Sequence, residues 1–287
     1  MLPPSSYTYD ALKQALHTQQ ILQAPVFLCD EAHDLFVDLG CCSGRIPRQE
    51  AAMGISEGQT RDIAILLLVG RPVCFCVTGL CSDGSVTLSR KAAQSRAMHA
   101  LLRKKPGELL PAVVTSLADF GAFCDIGCGV TALLPRSSIS VSRVTHPSER
   151  FAPGQRIMSV IRAVDPVRKR ITLSHRELLG TWEENAAAFS QGQTVLGIVR
   201  SVQEYGAFIE LTPNLSGLAE PDDTLQPGEL VSVFIKSILP EKQKIKLTVL
   251  RKQGVRAEKT ESFRYFLPDR RLTRWQYSPA DTKPTIF

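Results

Sequence analysis

An internal repeat limits what this chain can fold into more than any other feature. The stretch SLADFGAFCDIGCGVTALLP, Ser116–Pro135, returns 85 positions later as SVQEYGAFIELTPNLSGLAE, Ser201–Glu220. Each copy sets an aromatic residue and then Gly-Ala-Phe inside an apolar alternation, and a glycine-containing turn follows. A period of 70–90 residues marks a structural unit that is folded once and used again. The first copy opens at PGELLPAVVT and runs through ALLPRSSI and a polar loop to FAPGQRIMSVIRAVDPVRKRITLSHREL. The second opens at QGQTVLGIVR and runs through GLAEPDDTLQPGELVSVFIKSILPEKQKIKLTVL. Both read as a valine-rich strand, the aromatic segment, a Pro-Gly turn and two more strands. About five short alternating strands with turn residues between them predict a small closed or partly open β-barrel.

A degenerate unit precedes these two. PVFLCDEAHDLFVDLG supplies a strand pair with His33 at the first aromatic position and Phe36 at the second. GRIPRQE then echoes ALLPRSS, and VGRPVCFCVTGLCSDGSVTLSR closes the unit. Helices are expected around Tyr9–Gln20, over Ser89–Lys105 before Pro106-Gly107, and within Ser174–Phe189, where Thr181 and Glu184 have capping-box spacing. The tail from Glu261 has no clear period.

On a strand, two aromatics three residues apart point to opposite faces. A glycine between them permits a bulge that brings both rings to one surface. Two adjacent exposed rings form a platform for unstacked bases, worth about 1–3 kcal/mol per base and indifferent to base identity. Rings filling the barrel core would be the simpler outcome for one isolated match. Recurrence with the same flanking elements favours the platform.

The second and third units resemble S1 RNA-binding domains, the oligonucleotide-binding barrels repeated in bacterial ribosomal protein S1. The resemblance rests on Asp119-Phe120-Gly121-Ala122-Phe123, on Tyr205-Gly206-Ala207-Phe208 and on the segment VDPVRKRITLS, Val164–Ser174; with the degenerate unit it covers most of residues 24–250. It implies a mainly β fold of tandem five-stranded OB-fold barrels of S1 type, joined by short helical linkers. The expected division is an amino-terminal helical segment at 1–23, a degenerate domain at 24–90, a linker at 91–105 and an S1 domain at 106–176. A linker at 177–190, an acidic S1 domain at 191–250 and a basic aromatic arm at 251–287 complete it. By resemblance, Phe120 and Phe123 stack on bases while Asp165 and Arg170 make polar contacts, with Arg168 and Lys169 in reach of phosphates. The matching residues of the third unit are Tyr205, Phe208 and Lys244, with Leu239 in place of the Asp. His33 and Phe36 are weaker candidates. Pro47, Pro135 and Glu220 stand where the family often has a histidine.

Charge divides unevenly. Residues 106–180 carry 9 basic and 6 acidic side chains, whereas 181–250 carry 5 and 9, a net −4. Sequence-independent affinity comes from Lys and Arg neutralising phosphates, so the second unit is expected to be the main RNA reader. The tail carries a net +5 and interleaves Arg264, Tyr265, Phe266, Arg270, Arg271, Arg274, Trp275 and Tyr277. That mixture suits cation–π and base stacking equally with an arm that buries its rings across a barrel.

Other classes find little support. No apolar run approaches the ~18 residues of a membrane span, and the amino terminus lacks the features of a secretory signal, so a cytoplasmic protein without membrane contact is expected. The eight cysteines form no C-x-x-C pair and read as free buried thiols. The five histidines are scattered, with no metal or nucleophile spacing, so neither enzyme activity, cofactor nor metal is expected. The expected partner is single-stranded RNA, in particular messenger RNA at the small ribosomal subunit. An adaptor built on barrel scaffolds and an accessory factor in RNA decay are the alternatives.

Overall fold

The computed structural model describes residues 6–58, 60–81, 84–256, 263–269, 271–278 and 284–287. The chain divides into two compact units, one of residues 1–103 with 125–130 and the other of 104–124 with 131–287. Arg270, from the sequence of the tail, lies outside the described residues.

In the first unit, α1 (Tyr9–Thr18) precedes strands β1 (Leu22–Cys29), β2 (Leu35–Asp38) and β3 (Ser43–Ile46). A short α2 (Ile63–Leu66), β4 (Pro72–Leu80), β5 (Val86–Ser89) and α3 (Arg90–Leu102) follow. The strands close a barrel in the order β1-β2-β3-β5-β4, in which β3 and β5 form the one parallel pair. Alternation puts Val26, Val37, Phe75 and Leu88 inside, and α1 adds Leu12 and Ala15 to the same core. Both long helices start on capped N-termini: the Thr8 hydroxyl accepts from Ala11 N, and Ser89 Oγ accepts from Ala92 N at 2.8 Å.

The second unit holds two barrels of the same plan. Strands β6 (Leu109–Ala118), β7 (Gly121–Asp125), β8 (Thr131–Pro135), β9 (Arg156–Asp165) and β10 (Arg170–Ser174) close as β6-β7-β8-β10-β9. The third barrel repeats this with β11 (Thr194–Gln203), β12 (Gly206–Thr212), β13 (Leu215–Ala219), β14 (Glu229–Leu239) and β15 (Lys244–Arg256). Between them lie a 3₁₀ turn, Arg176–Leu179, and a one-turn helix α4 (Trp182–Ala186) carrying the Thr181/Glu184 capping box. The tail contributes a two-stranded ladder, β16 (Arg274–Trp275) with β17 (Thr285–Ile286).

Two elements join these barrels firmly. Glu210 of β12 is buried between Arg150 of the second barrel and Arg200 of β11, and Arg200 also reaches Glu149 at 2.8 Å. Alongside, Asn214 Oδ1 accepts from Val141 N at 2.9 Å, and the Ser142 and Ser216 hydroxyls meet at 2.9 Å. The arm then crosses the seam. Phe263 and Tyr265 pack edge-on against the buried His175, and Phe263 also meets Phe151. Over this stretch the arm is packed, as one of the two sequence readings proposed.

The cysteines depart from expectation. Cys76 and Cys124 are buried, but Cys41 and Cys81 are exposed and the other four are partly exposed. Strand alternation turns inward only some of the thiols that a hydropathy argument assigns to the core.

Candidate nucleic-acid interface

Phe120 closes a two-residue turn between β6 and β7, and Phe123 lies on β7 with its side chain outward between the buried Ala122 and Cys124. Their ring centroids are 5.8 Å apart at 87°, an edge-to-face pair, and Phe120 is 59 % exposed. Tyr205 and Phe208 repeat the arrangement at 6.1 Å and 87°, with Tyr205 65 % exposed. The glycine acts differently from the bulge expected from sequence. The first aromatic sits in the turn rather than on the strand, and the glycine lets the turn settle onto the neighbouring strand. A Cβ on Gly121 would lie 2.4 Å from the Leu134 carbonyl, and one on Gly206 would lie 2.3 Å from that of Ala219. Gly206 also has φ +145°, which L side chains rarely adopt.

Outward from each second aromatic runs a row of side chains across the barrel. In the third barrel Phe208 pairs with Leu218, and Leu218 with Lys246. In the second, Leu133 pairs with Thr172, and Arg170 stands two residues before Thr172 on the same face. β8 lies between β7 and β10, so Arg170 faces the platform from two strands away. Its Cα partner is Asp165, as Lys244 is partnered by Leu239. Asp165 Oδ1 accepts from Arg168 N at 2.9 Å, which ties the hairpin whose tip holds Lys169 at φ +50°. Asp165 therefore shapes the basic hairpin, and Arg168 and Lys169 project from its end.

The first barrel also has an aromatic pair, but not the one sought. His33 lies in the β1–β2 turn at φ +62°, while the ring beside Phe36 is Phe27, at 6.5 Å across the strand pair. Phe27 is 54 % exposed. Only its outward place in the alternation of PVFLC could have signalled it.

Two further residues escaped the sequence reading. His146 Nε2 lies 3.6 Å from the Asp119 carboxylate, next to Phe120. Its Nδ1 accepts from Ser148 N at 3.1 Å, which leaves the proton on the Nε2 that faces Asp119. Lys246, in the Phe208 row, is exposed and gives the third platform a cation. The acidic character of that barrel is also muted locally. Glu210 lies between two guanidiniums, and the Glu220 carboxyl is held below its usual range by its hydrogen bond from Lys236, 2.7 Å away.

Among the described residues no cluster of three metal-ligating side chains occurs, and no helix is long and apolar enough to cross a membrane.

Closed five-stranded barrels with one parallel strand pair and exposed ring pairs on their outer face define oligonucleotide-binding-type modules, here three in tandem. Residues 103–176 match the family model of the S1 RNA binding domain, and the second barrel belongs to that family. The chain is 32 % identical over 236 residues to small ribosomal subunit protein bS1 of Leuconostoc lactis, covering 75 % of this chain and 53 % of the relative. It is 30 % identical over 262 residues to bS1 of Staphylococcus aureus strain COL, covering 85 % and 64 %. With bS1 of Chlamydia muridarum it shares 30 % over 181 residues, 58 % of this chain and 32 % of the relative. The chain thus spans less than two thirds of the length of each of these relatives.

Proposed function

We propose that this chain is a non-enzymatic, single-stranded RNA-binding protein that holds messenger RNA by base stacking and backbone contacts. The observation that carries the reading is the same edge-to-face ring pair at the same turn of two barrels, with Phe120 and Tyr205 largely exposed. Stacked bases need open aromatic faces and no particular sequence. The second barrel leads: Phe120 and Phe123 stack bases, Arg170, Arg168 and Lys169 neutralise phosphates, and Asp165 holds their hairpin. Tyr205, Phe208, Lys244 and Lys246 form a second, weaker station. Phe36 serves the first barrel with Phe27, and His33 lies outside that pair. The relatives are proteins of the small ribosomal subunit, which supports action in the cytoplasm during translation. Fluorescence anisotropy with a labelled oligoribonucleotide tests the reading: Phe120→Ala/Phe123→Ala should bind at least tenfold more weakly, and equal binding would refute it.

A second reading concerns the first barrel alone. Phe27, Leu28, Ile63, Leu66 and Leu67 are all exposed there, which suits a protein-docking face as well as an RNA platform. Copurification of a protein after nuclease treatment, lost in Ile63→Asp/Leu67→Asp, would favour it.

A further inference from the structure

Beside the second platform a cleft of about 740 Å³ opens between the loop after β8, the 3₁₀ turn at Arg176 and the β16–β17 arm. Three guanidiniums line it, from Arg136, Arg143 and Arg176, and no carboxylate does so among the described residues. The Arg136 guanidinium donates to the Thr145 carbonyl at 2.8 Å and has no carboxylate partner among the described residues, and Arg143 has no hydrogen bond or ion pair with any described residue. Arg176 is paired with the buried Glu177 at 3.2 Å, stacks over the Trp275 ring at 5.7 Å and meets Thr285 Oγ1 at 3.1 Å, so Arg136 and Arg143 are the cations left for a phosphate. Trp275 and Tyr277 lie 6.0 Å apart in the same lining, and the Tyr277 hydroxyl is anchored on the Asn214 carbonyl.

The cleft adjoins the platform directly. Arg136 N donates to the carbonyl of Phe120 at 2.9 Å, so one wall begins at the residue whose ring heads the stacking site. The loop carrying Arg143 is held by Asn214 and Ser216 of the third barrel, so these groups are positioned before any ligand arrives. Planar guanidinium forks match phosphate oxygens, while indole and phenol rings match a base. The volume falls within the ~300–1,000 Å³ range of small-ligand sites and accommodates one nucleotide.

We propose that this cleft receives a nucleotide of the same RNA strand, next to those stacked on Phe120 and Phe123. Its phosphate lies on Arg136 and Arg143, and its base lies against Trp275 and Tyr277. The tail is then one wall of an extended RNA site rather than a strap alone. This inference rests on the RNA-binding reading above and lengthens its footprint.

The test uses the full chain and oligouridylates of increasing length, read by anisotropy and by tryptophan fluorescence. Trp182 is buried, so a ligand-dependent quench reports Trp275. Wild type should show the quench only with oligomers longer than those that saturate the platform. Arg136→Ala/Arg143→Ala should leave short-oligomer affinity unchanged and weaken long-oligomer binding about tenfold, and its salt slope should fall by about 0.7 per lost phosphate contact. Trp275→Phe should lose the quench while keeping short-oligomer binding. Equal long-oligomer affinity in wild type and the double-arginine variant would overturn the proposal. Saturable quenching by uridine diphosphate without a length effect would also overturn it and assign the cleft to a free nucleotide. No binding by wild type at any length would instead sink the RNA reading itself.

Discussion

Arg150 and Glu210 form a bidentate ion pair inside the seam between the second and third barrels, where neither residue is more than 4 % exposed. Arg200 shares the same carboxylate and also pairs with Glu149, so two acidic groups balance two guanidiniums across the seam. A pair of this kind is costly to desolvate, and its removal from one side leaves uncompensated buried charge. The seam also sets the loop that reaches the platform and the cleft, which links barrel packing to the site.

Glu210→Ala should therefore destabilise the protein by about 3–5 kcal/mol, because it leaves the buried Arg150 guanidinium without its carboxylate. Chemical denaturation followed by tryptophan fluorescence measures this, since Trp182 packs in the third barrel's core. A change below about 1 kcal/mol would mean that water reaches the pair.

The turn glycines make a different prediction. Gly121→Ala places a methyl group against the Leu134 carbonyl, and Gly206→Ala meets the Ala219 carbonyl at an unfavourable φ as well. Each should cost about 1–3 kcal/mol and weaken RNA binding by displacing the first aromatic. An unchanged melting temperature together with unchanged affinity would contradict the close approach.

Acid should weaken the arm's anchorage. Burial pushes the His175 pKa from 6.5 down to about 4, with a smaller push from Arg150, against the hydrogen bond to the Ile139 carbonyl that favours the proton. As pH falls below 6.5 the unfolded chain takes up the proton first, so stability is full above that value, declines towards pH 4 and levels off there. The loss across this window is about 3 kcal/mol. Comparing wild type with His175→Phe at several pH values isolates the effect, and parallel curves would exclude it.

Between the two platforms, Tyr205→Ala/Phe208→Ala should reduce RNA affinity less than the Phe120/Phe123 double variant. The second barrel has Arg170 opposite Asp165 and a basic tip, whereas the third has Lys244 opposite Leu239. Anisotropy at two salt concentrations should give the steeper salt dependence for the intact second platform. The reverse ranking would reassign the leading role.

The barrels and their paired aromatics were legible in the sequence because their determinants are local. Alternation of period two, turn residues and a glycine two positions before the outward phenylalanine lie within a few residues of one another. The partnership of Phe27 with Phe36 was not legible, because a register shift between Val26 and Leu28 selects it across two strands. Net charge likewise does not locate the charges. Residues 181–250 sum to −4, yet Glu210 is enclosed by arginines and Lys246 faces out beside Phe208. The tail's two readings also stayed open until Phe263 and Tyr265 met His175, about ninety positions away, and Trp275 came to line one cleft with Arg143. Sequence periodicity determines which face of a strand is apolar. Only the folded chain decides which distant charges and rings meet, since those contacts leave no local pattern.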